Sequence, residues 1–343
     1  MNQLKIKNHF VPKSYLKNWS DNDNKIFIYN SLVSHEGVPL WKKDFIKSNA
    51  YQKHLYTSIE SGVVNDDIER WFDQKFESPA EPIIKKVIND SKLSYGEMKI
   101  LLKFLALQDV RTPKQLIETI DRHTKNINDM LLKILEGLPN RLNKKNRITS
   151  NKANYNKFLP INITSEIEDG ADFGTLKVET LVGRKPWFFS MLHLLEKTSK
   201  ILLKYKWKII KPYDGMKWVT SDNPVIKINY IRHGQYDLKG GWGRHNGNIF
   251  FPIGPNHALF TKIGAKKIVF DTHMDPYKTL ELNQMQAENA YRYIYSNVKN
   301  SEVEKYKPRI VNKKLYEQEK SMWDQWHEGN SKLEKEFEGN SAK

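Results

Sequence analysis

Apolar positions along this chain change their period from stretch to stretch, and the changes mark out its elements. Near the start, Tyr15, Leu16 and Trp19 recur at helical spacing behind Val11-Pro12. The residue before a proline avoids helix and the proline suits a first turn. A helix is therefore expected just after Pro12, with its apolar side inward and His9 left at its lip. Lys25-Ile-Phe-Ile-Tyr29 reads as a strand behind the turn-forming Ser20 to Asn24, and a second strand is expected near Phe45 to Tyr51.

From Asn65 to Asn89 the period becomes helical, with an Asn cap and acids in the first turn, where the helix dipole favours them. Ile68, Trp71, Phe72 and Phe76 make its apolar stripe. Glu69, Asp73 and Glu77 recur at four-residue steps on another face; they are either a solvated acidic face or carboxylates close enough to share a metal ion. Ser94-Tyr-Gly-Glu97 is a capping box that opens a helix to Arg111, and Thr112-Pro113 starts another that is expected to stop at Gly137.

The second half alternates more. A helix is expected from about Trp187 to Lys204, and Lys204 to Ile210 reads as a strand with Tyr205, Trp207 and Ile209 inward and lysines outward, the latter protecting an edge. Further strands are expected at Lys217 to Thr220, Val225 to Tyr230, Asn248 to Pro255, Ala258 to Thr261 and around Ile263 to Phe270. A helix from Tyr277 to Ser296 follows, and the last forty residues read as a charged helix and a loose tail. The fold class is α+β: a mostly helical N-terminal half packed on a small, mainly antiparallel sheet in the C-terminal half. The divisions are residues 1–140 with the His9 motif, a basic connector at 141–160, an α+β part at 161–300 and a charged C-terminal segment at 301–343.

Charge narrows the class of partner. The chain has 343 residues with 56 Lys plus Arg against 40 Asp plus Glu, a net charge of +16. Such a balance suits anionic partners, nucleic acid (RNA or DNA) foremost, although it also serves solubility alone. Between Arg141 and Lys157 lie six basic residues, Lys144 and Lys145 among them, with no acid: a mobile connector or a footprint for phosphate backbone. With no cysteine, disulfides, thiolate nucleophiles and Cys-ligated zinc are excluded, and any metal must sit on His, Asp or Glu. No signal-peptide h-region or membrane-length apolar run is seen, so a cytoplasmic protein is expected.

The stretch with most chemistry is Trp218-Val-Thr-Ser-Asp-Asn-Pro-Val225, a strand that runs into a corner of short polar side chains and proline. Asp222 is there either a reactive acid held at a strand end or a turn residue that satisfies backbone donors. Downstream, five glycines lie between Ile231 and Asn248 alongside Arg232, His233, Lys239, Arg244 and His245. That loop could clamp a phosphate or be a plain hairpin tip. Familiar signatures are missing: no Gly-x-Gly-x-x-Gly or Walker loop, no His-Glu-x-x-His, no Gly-x-Ser-x-Gly, and no Asp with Glu-x-Lys at restriction-nuclease spacing. Any active residues must be gathered from distant segments.

His9-Phe-Val-Pro12 with Tyr15-Leu16, Ile68-Glu69, Gln108-Asp-Val-Arg-Thr-Pro113, Ser221-Asp-Asn-Pro224 and Phe251-Pro-Ile-Gly-Pro255 together resemble the bacterial domain of unknown function family 4238. The resemblance covers about Asn8 to Ser296. Ile253-Gly254 stands where the family pattern has Leu-Ser, which removes a hydroxyl. The resemblance implies little about chemistry; members among mobile or defence genes point towards nucleic acid.

These readings lead to a nucleic-acid-directed hydrolase, a metal-dependent nuclease or phosphodiesterase of a bacterial defence system. In it Glu69 and Asp222 bind a divalent Mg or Mn ion, His9 acts as base or third ligand, and Arg111 stabilises charge on a phosphoryl oxygen. Tyr15, Gln108, Ser221, Asn223, Arg244, His245, Lys144 and Lys145 are the candidate substrate contacts. The alternative is a non-catalytic nucleic-acid-binding or adaptor protein in which His9, Arg111 and Asp222 form a structural polar network. An enzyme acting on a small phosphorylated molecule is the third possibility.

Overall fold

A computed structural model of the chain describes residues 5–60, 63–142, 161–167, 174–232, 235–266 and 271–341. Pro12 is extended, at φ −61° and ψ 143°, and releases the short helix α1 (Lys13–Leu16), which tightens into a 3₁₀ turn ending at Trp19. Tyr15, Leu16 and Trp19 are all buried, so this amphipathic step drives the N-terminal motif into the core.

Helix α2 (Asp67–Phe72) starts one turn residue later than the sequence suggests. Asn65 Oδ1 accepts the Asp67 N–H at 2.6 Å. It then widens into a π turn, Asp73–Glu77, before α3 (Ser78–Ile88). A local feature favours it: Pro79 lacks the N–H group that would bond the Lys75 carbonyl within that turn. The wider turn has a consequence for phase. Positions eight apart on an α-helix stand roughly 80° out of line. A π turn absorbs the extra residue, and both Glu69 and Glu77 come to face Arg111.

Ser94 and Glu97 form the expected capping box of α4 (Tyr95–Val110). Every residue of α4 from Phe104 to Val110 is buried, so it is the central helix, apolar nearly all round. Helix α5 (Pro113–Leu142) passes Gly137 without stopping; one glycine costs a helix only about 1 kcal/mol. Helix α6 (Arg184–Glu196) is followed by a 3₁₀ stretch, Thr198–Lys204, where a longer helix was expected.

Strands are antiparallel in the two larger sheets. One has five, in the order 208–210, 257–262, 248–254, 226–232, 235–237. The first of these is shorter than its alternation suggests, because Trp207 Nε1 is drawn back to the Leu202 carbonyl at 2.8 Å. The central Asn248–Gly254 strand is wholly buried; it tolerates Pro252 at a register shift between Pro252 and Gly254.

The second sheet corrects the expected layout. Its order is Thr220–Ser221, Tyr293–Ser296, Lys25–Asn30 and Trp41–Phe45, so N-terminal strands interleave with C-terminal ones. The α+β class stands. The helical half and the sheet half, however, are not separate layers. The expected strand near Phe45 to Tyr51 is instead the end of one strand, a 3₁₀ turn at Ile46–Ser48, and a short strand Tyr51–Lys53 paired with Lys7–His9.

Helix α7 (Pro276–Asn289) ends well short of Ser296, and Tyr293–Ser296 is a strand, as its β-branched and aromatic run favours. At Ile263 the chain turns rather than extending; residues 267–270 lie outside the described residues. Helices α8 (Ser301–Tyr306), α9 (Lys313–Asp324) and α10 (Trp326–Ser341) follow, with a two-residue strand, Ile310–Val311, between α8 and α9 that pairs in parallel with Leu32–Val33. Among the described residues, no helix is long and apolar enough to cross a membrane.

Candidate functional site

The sequence motifs meet in the interior. Tyr15 donates from its hydroxyl to the Pro252 carbonyl at 2.6 Å and lies 2.8 Å from Thr220 Oγ1. Asn18 reaches the Ile253 carbonyl and Trp19 the Trp218 carbonyl, both at 2.8 Å. The first motif is thus riveted to the strands beside the Ser-Asp-Asn-Pro corner. The third motif joins through Thr112 Oγ1, which donates to Asn223 Oδ1 at 2.8 Å.

Around Arg111 the structure gathers three of the four expected active residues. Its guanidinium donates to the His9 backbone carbonyl and to Glu77 Oε1, and Glu69 Oε2 stands 3.9 Å away. The head lies over the rings of Phe72 and Tyr56, 5.0 and 5.3 Å from their centroids. Arg111 is fully buried. Burial works against its charge, but Glu77, Tyr56 and Glu69 overcome this and raise its pKa. Glu69 is pushed up to about 7, first by burial and then eased by Arg111. Its Oε2 has no hydrogen-bond donor. His9 presents its carbonyl, not its ring, to Arg111. The imidazole is brought down to about 4 by burial and by Lys13, and packs 5.5 Å from the Tyr51 ring.

Asp222 has different company. One carboxylate oxygen accepts the Tyr291 N–H at 2.7 Å; the other accepts Arg292 and Tyr293 N–H at 2.6 and 2.8 Å. The side chain is buried. Burial pushes its carboxyl up from the usual range, and the three backbone N–H groups pull the other way. This capture stops α7 and turns the chain into the Tyr293–Ser296 strand. The structure therefore sends the two expected metal ligands to separate partners, Glu69 to Arg111 and Asp222 to backbone. Among the described residues, no group of three His, Asp or Glu could hold a metal ion.

The other expected contacts divide by exposure. Tyr15, Gln108, Ser221 and Asn223 are interior. Arg244 and His245 are exposed on the glycine-rich loop, where Arg244 Nε donates to Asn229 Oδ1 at 3.1 Å. Lys144 and Lys145, with the rest of the basic connector from residue 143 on, lie outside the described residues. In the loop, glycine serves close approach: a Cβ on Gly240 would come 2.7 Å from the Lys227 carbonyl oxygen. Trp242 folds inward, and its Nε1 donates to Asp109 Oδ2 at 2.7 Å, while Lys227 pairs with Asp109 at 2.8 Å.

Sequence reasoning missed the residues that complete the corner. Asn289 Nδ2 donates to the Asn223 and Val225 carbonyls, Gln286 Nε2 donates to Ser221 Oγ, and Lys114 Nζ reaches both oxygens of Asn289. Asn289 and Gln286 sit one turn apart on α7, but nothing local marks them as partners of a corner more than sixty residues earlier. Tyr56 and Glu77 were missed around Arg111; for Glu77 the four-residue acidic step was the available signal.

A cleft of about 470 Å³ opens beside these networks, and Phe10, Pro113 and Asp222, one from each of three motifs, reach its wall. Its opposite side comes from α9 and α10, through Glu319, Trp323 and His327. His54 and His327 stack there at 4.1 Å; burial first, and neighbouring positive charge, hold both imidazoles down, His327 to about 4. Tyr295, fully buried, also lines this cleft.

A family model described as Protein of unknown function (DUF4238) matches residues 7–300. The chain belongs to this family. All the DUF4238 motifs lie inside the matched span, whereas the α9–α10 wall of the cleft lies beyond it. Comparison with curated proteins and with solved structures finds no match.

Proposed function

We propose that this DUF4238 chain is a non-catalytic nucleic-acid-binding or adaptor protein, in which His9, Arg111 and Asp222 belong to a structural network. The observation that carries this reading is the state of Asp222: both carboxylate oxygens are already taken by three backbone N–H groups inside the protein. A metal ligand or general base needs lone pairs facing the reactant, and three of the roughly four that a carboxylate offers are turned to backbone here. The net charge of +16 supports an anionic partner.

The test is fluorescence anisotropy on labelled RNA and DNA across a salt series, with wild type, Asp222→Asn and a variant lacking the charges of Lys144, Lys145 and Arg147. Affinity should fall steeply with salt and follow the basic segment. Asp222→Asn should bind as wild type does while melting at lower temperature. Affinity that tracks Asp222 without a stability change overturns this reading.

A second reading, a metal-dependent nuclease or phosphodiesterase of a defence system, finds support in the cleft, where His54 and His327 are neutral imidazoles at the wall. On that reading, cleavage of labelled RNA or DNA with Mg²⁺ or Mn²⁺ is lost in His54→Ala and His327→Ala. Equal cleavage by those variants and wild type, or none in any sample, counts against it.

A further inference from the structure

A second concavity of about 540 Å³ lies on another part of the surface, between the α2 π turn, the outer face of α4 and the end of α6 with its 3₁₀ extension. Its floor is apolar. Phe76, Leu102 and Leu195 are buried there, and Trp71 and Leu203 are half-buried. Its rim is cationic: Lys75, Lys99, Lys103 and Lys200 are all exposed, and none has an acidic partner among the described residues. Glu196 is the one acid on the lining.

This arrangement works against the isolated protein. Lys99 and Lys103 stand at i, i+4 on α4, where like charges destabilise a helix. Other lysines of this chain, such as Lys85 with Glu81 and Lys86 with Glu97, do find carboxylates at 2.8 and 2.5 Å. Four unpaired lysines around an open apolar floor leave both a charge and a surface unmatched.

We propose that this groove docks an acidic amphipathic helix of a partner protein. Leucine or similar side chains at i, i+3/i+4 and i+7 would lie on the Trp71–Leu102–Leu203 floor, and carboxylates on both flanks would meet the four lysines. The floor decides against the other polyanions. Single-stranded nucleic acid bound without base readout wants aromatic faces on which bases stack. Here Phe76 is buried, Trp71 packs edge-on against it at 4.9 Å, and the remainder is aliphatic. A concave floor likewise gives a lipid surface nothing to lie flat on. The inference is independent of the reading of the Asp222 corner.

The test uses the full chain and a fluorescein-labelled peptide of about 18 residues, roughly five helical turns. Leucines line one face and glutamates both flanks. A scrambled peptide of the same composition, and an oligo-dT of equal charge, are the other arms. The ordered peptide should bind saturably in the micromolar range. The scrambled peptide should bind weakly. Lys99→Glu/Lys103→Glu should weaken the ordered peptide by roughly tenfold or more. Lys17→Glu/Lys313→Glu, with the same change in net charge away from the groove, should leave it unaltered. These are exposed positions, and thermal melts establish that each variant is folded. Equal binding of ordered and scrambled peptides, equal losses in both variants, or no saturable binding overturns the proposal. Oligo-dT that binds more tightly than the peptide and loses affinity only in the groove variant overturns it in favour of a nucleic-acid site.

Discussion

Arg184 and Glu334 meet through two parallel hydrogen bonds, Nε to Oε1 and Nη2 to Oε2, each 2.7 Å long. Both residues are buried, and Arg184 also reaches Ser331 Oγ and the His327 ring. The pair fastens α10 to the start of α6, so one wall of the cleft is held by a charge pair that joins Arg184, inside the family-matched span, to Glu334, beyond it.

Removing one partner should leave a buried, uncompensated charge. Arg184→Ala and Glu334→Ala are each expected to lower stability by about 3–5 kcal/mol. Arg184→Met/Glu334→Met should recover a large part of that loss, since a buried pair replaced by apolar groups of similar size is often neutral. Urea denaturation of the three variants checks this, and a double variant worse than either single variant would contradict it.

At the corner, Asp222→Asn should cost about 2–4 kcal/mol, because an amide offers one acceptor oxygen where two are used and strands at least one backbone donor. Amide hydrogen exchange should quicken first at Tyr291, Arg292 and Tyr293. Uniform exchange changes across the chain would mean the corner is not the local cause.

Tyr15→Phe deletes the hydroxyl that bonds the Pro252 carbonyl and Thr220 while keeping the ring stacked on Phe251 at 5.4 Å. A loss of about 1–3 kcal/mol is expected from the buried acceptor left behind. Thermal melts compare it with Tyr95→Phe, on the exposed first turn of α4, which should be neutral.

The pH dependence has two opposed parts. His9 and His327, both held down to about 4, bind protons more readily when unfolded. Stability should fall as pH drops from about 6.5 towards 4. Glu69, pushed up to about 7, binds its proton more readily when folded, so its contribution is present at low pH and is lost as pH rises from about 4.5 through 7. His9→Gln should flatten the acid limb. Glu69→Gln should raise stability near pH 8 relative to wild type, whereas Glu77→Gln, which strips Arg111 of its direct partner, should lower it. Melting temperatures from pH 4 to 8 check the signs, and a Glu69→Gln protein less stable at pH 8 would refute the assignment.

Sequence-local signals were legible. Proline before α1, the Ser94–Glu97 box and the Lys25–Tyr29 alternation depend on neighbours within a few residues, and each appears where its chemistry puts it. Asp222 as a residue that satisfies backbone donors was one of two readings of its turn, and the geometry supplies three such donors. What the sequence did not disclose lies in long-range partners. The π turn shifts Glu77 into line, and Pro79, which favours it, acts on the turn before it. The helix expected to Ser296 breaks at Asn289 because a carboxylate seventy residues upstream takes its next N–H groups. Apolar period alone cannot register such a competitor.

Lys25–Asn30 lies between Trp41–Phe45 and Tyr293–Ser296. During synthesis its second edge therefore stays uncovered until nearly the whole chain has emerged, roughly 10–50 s at ordinary ribosomal rates. Either half expressed alone would display a naked β edge, so bisected genes should yield aggregates, and complementation should succeed only when both fragments are made together.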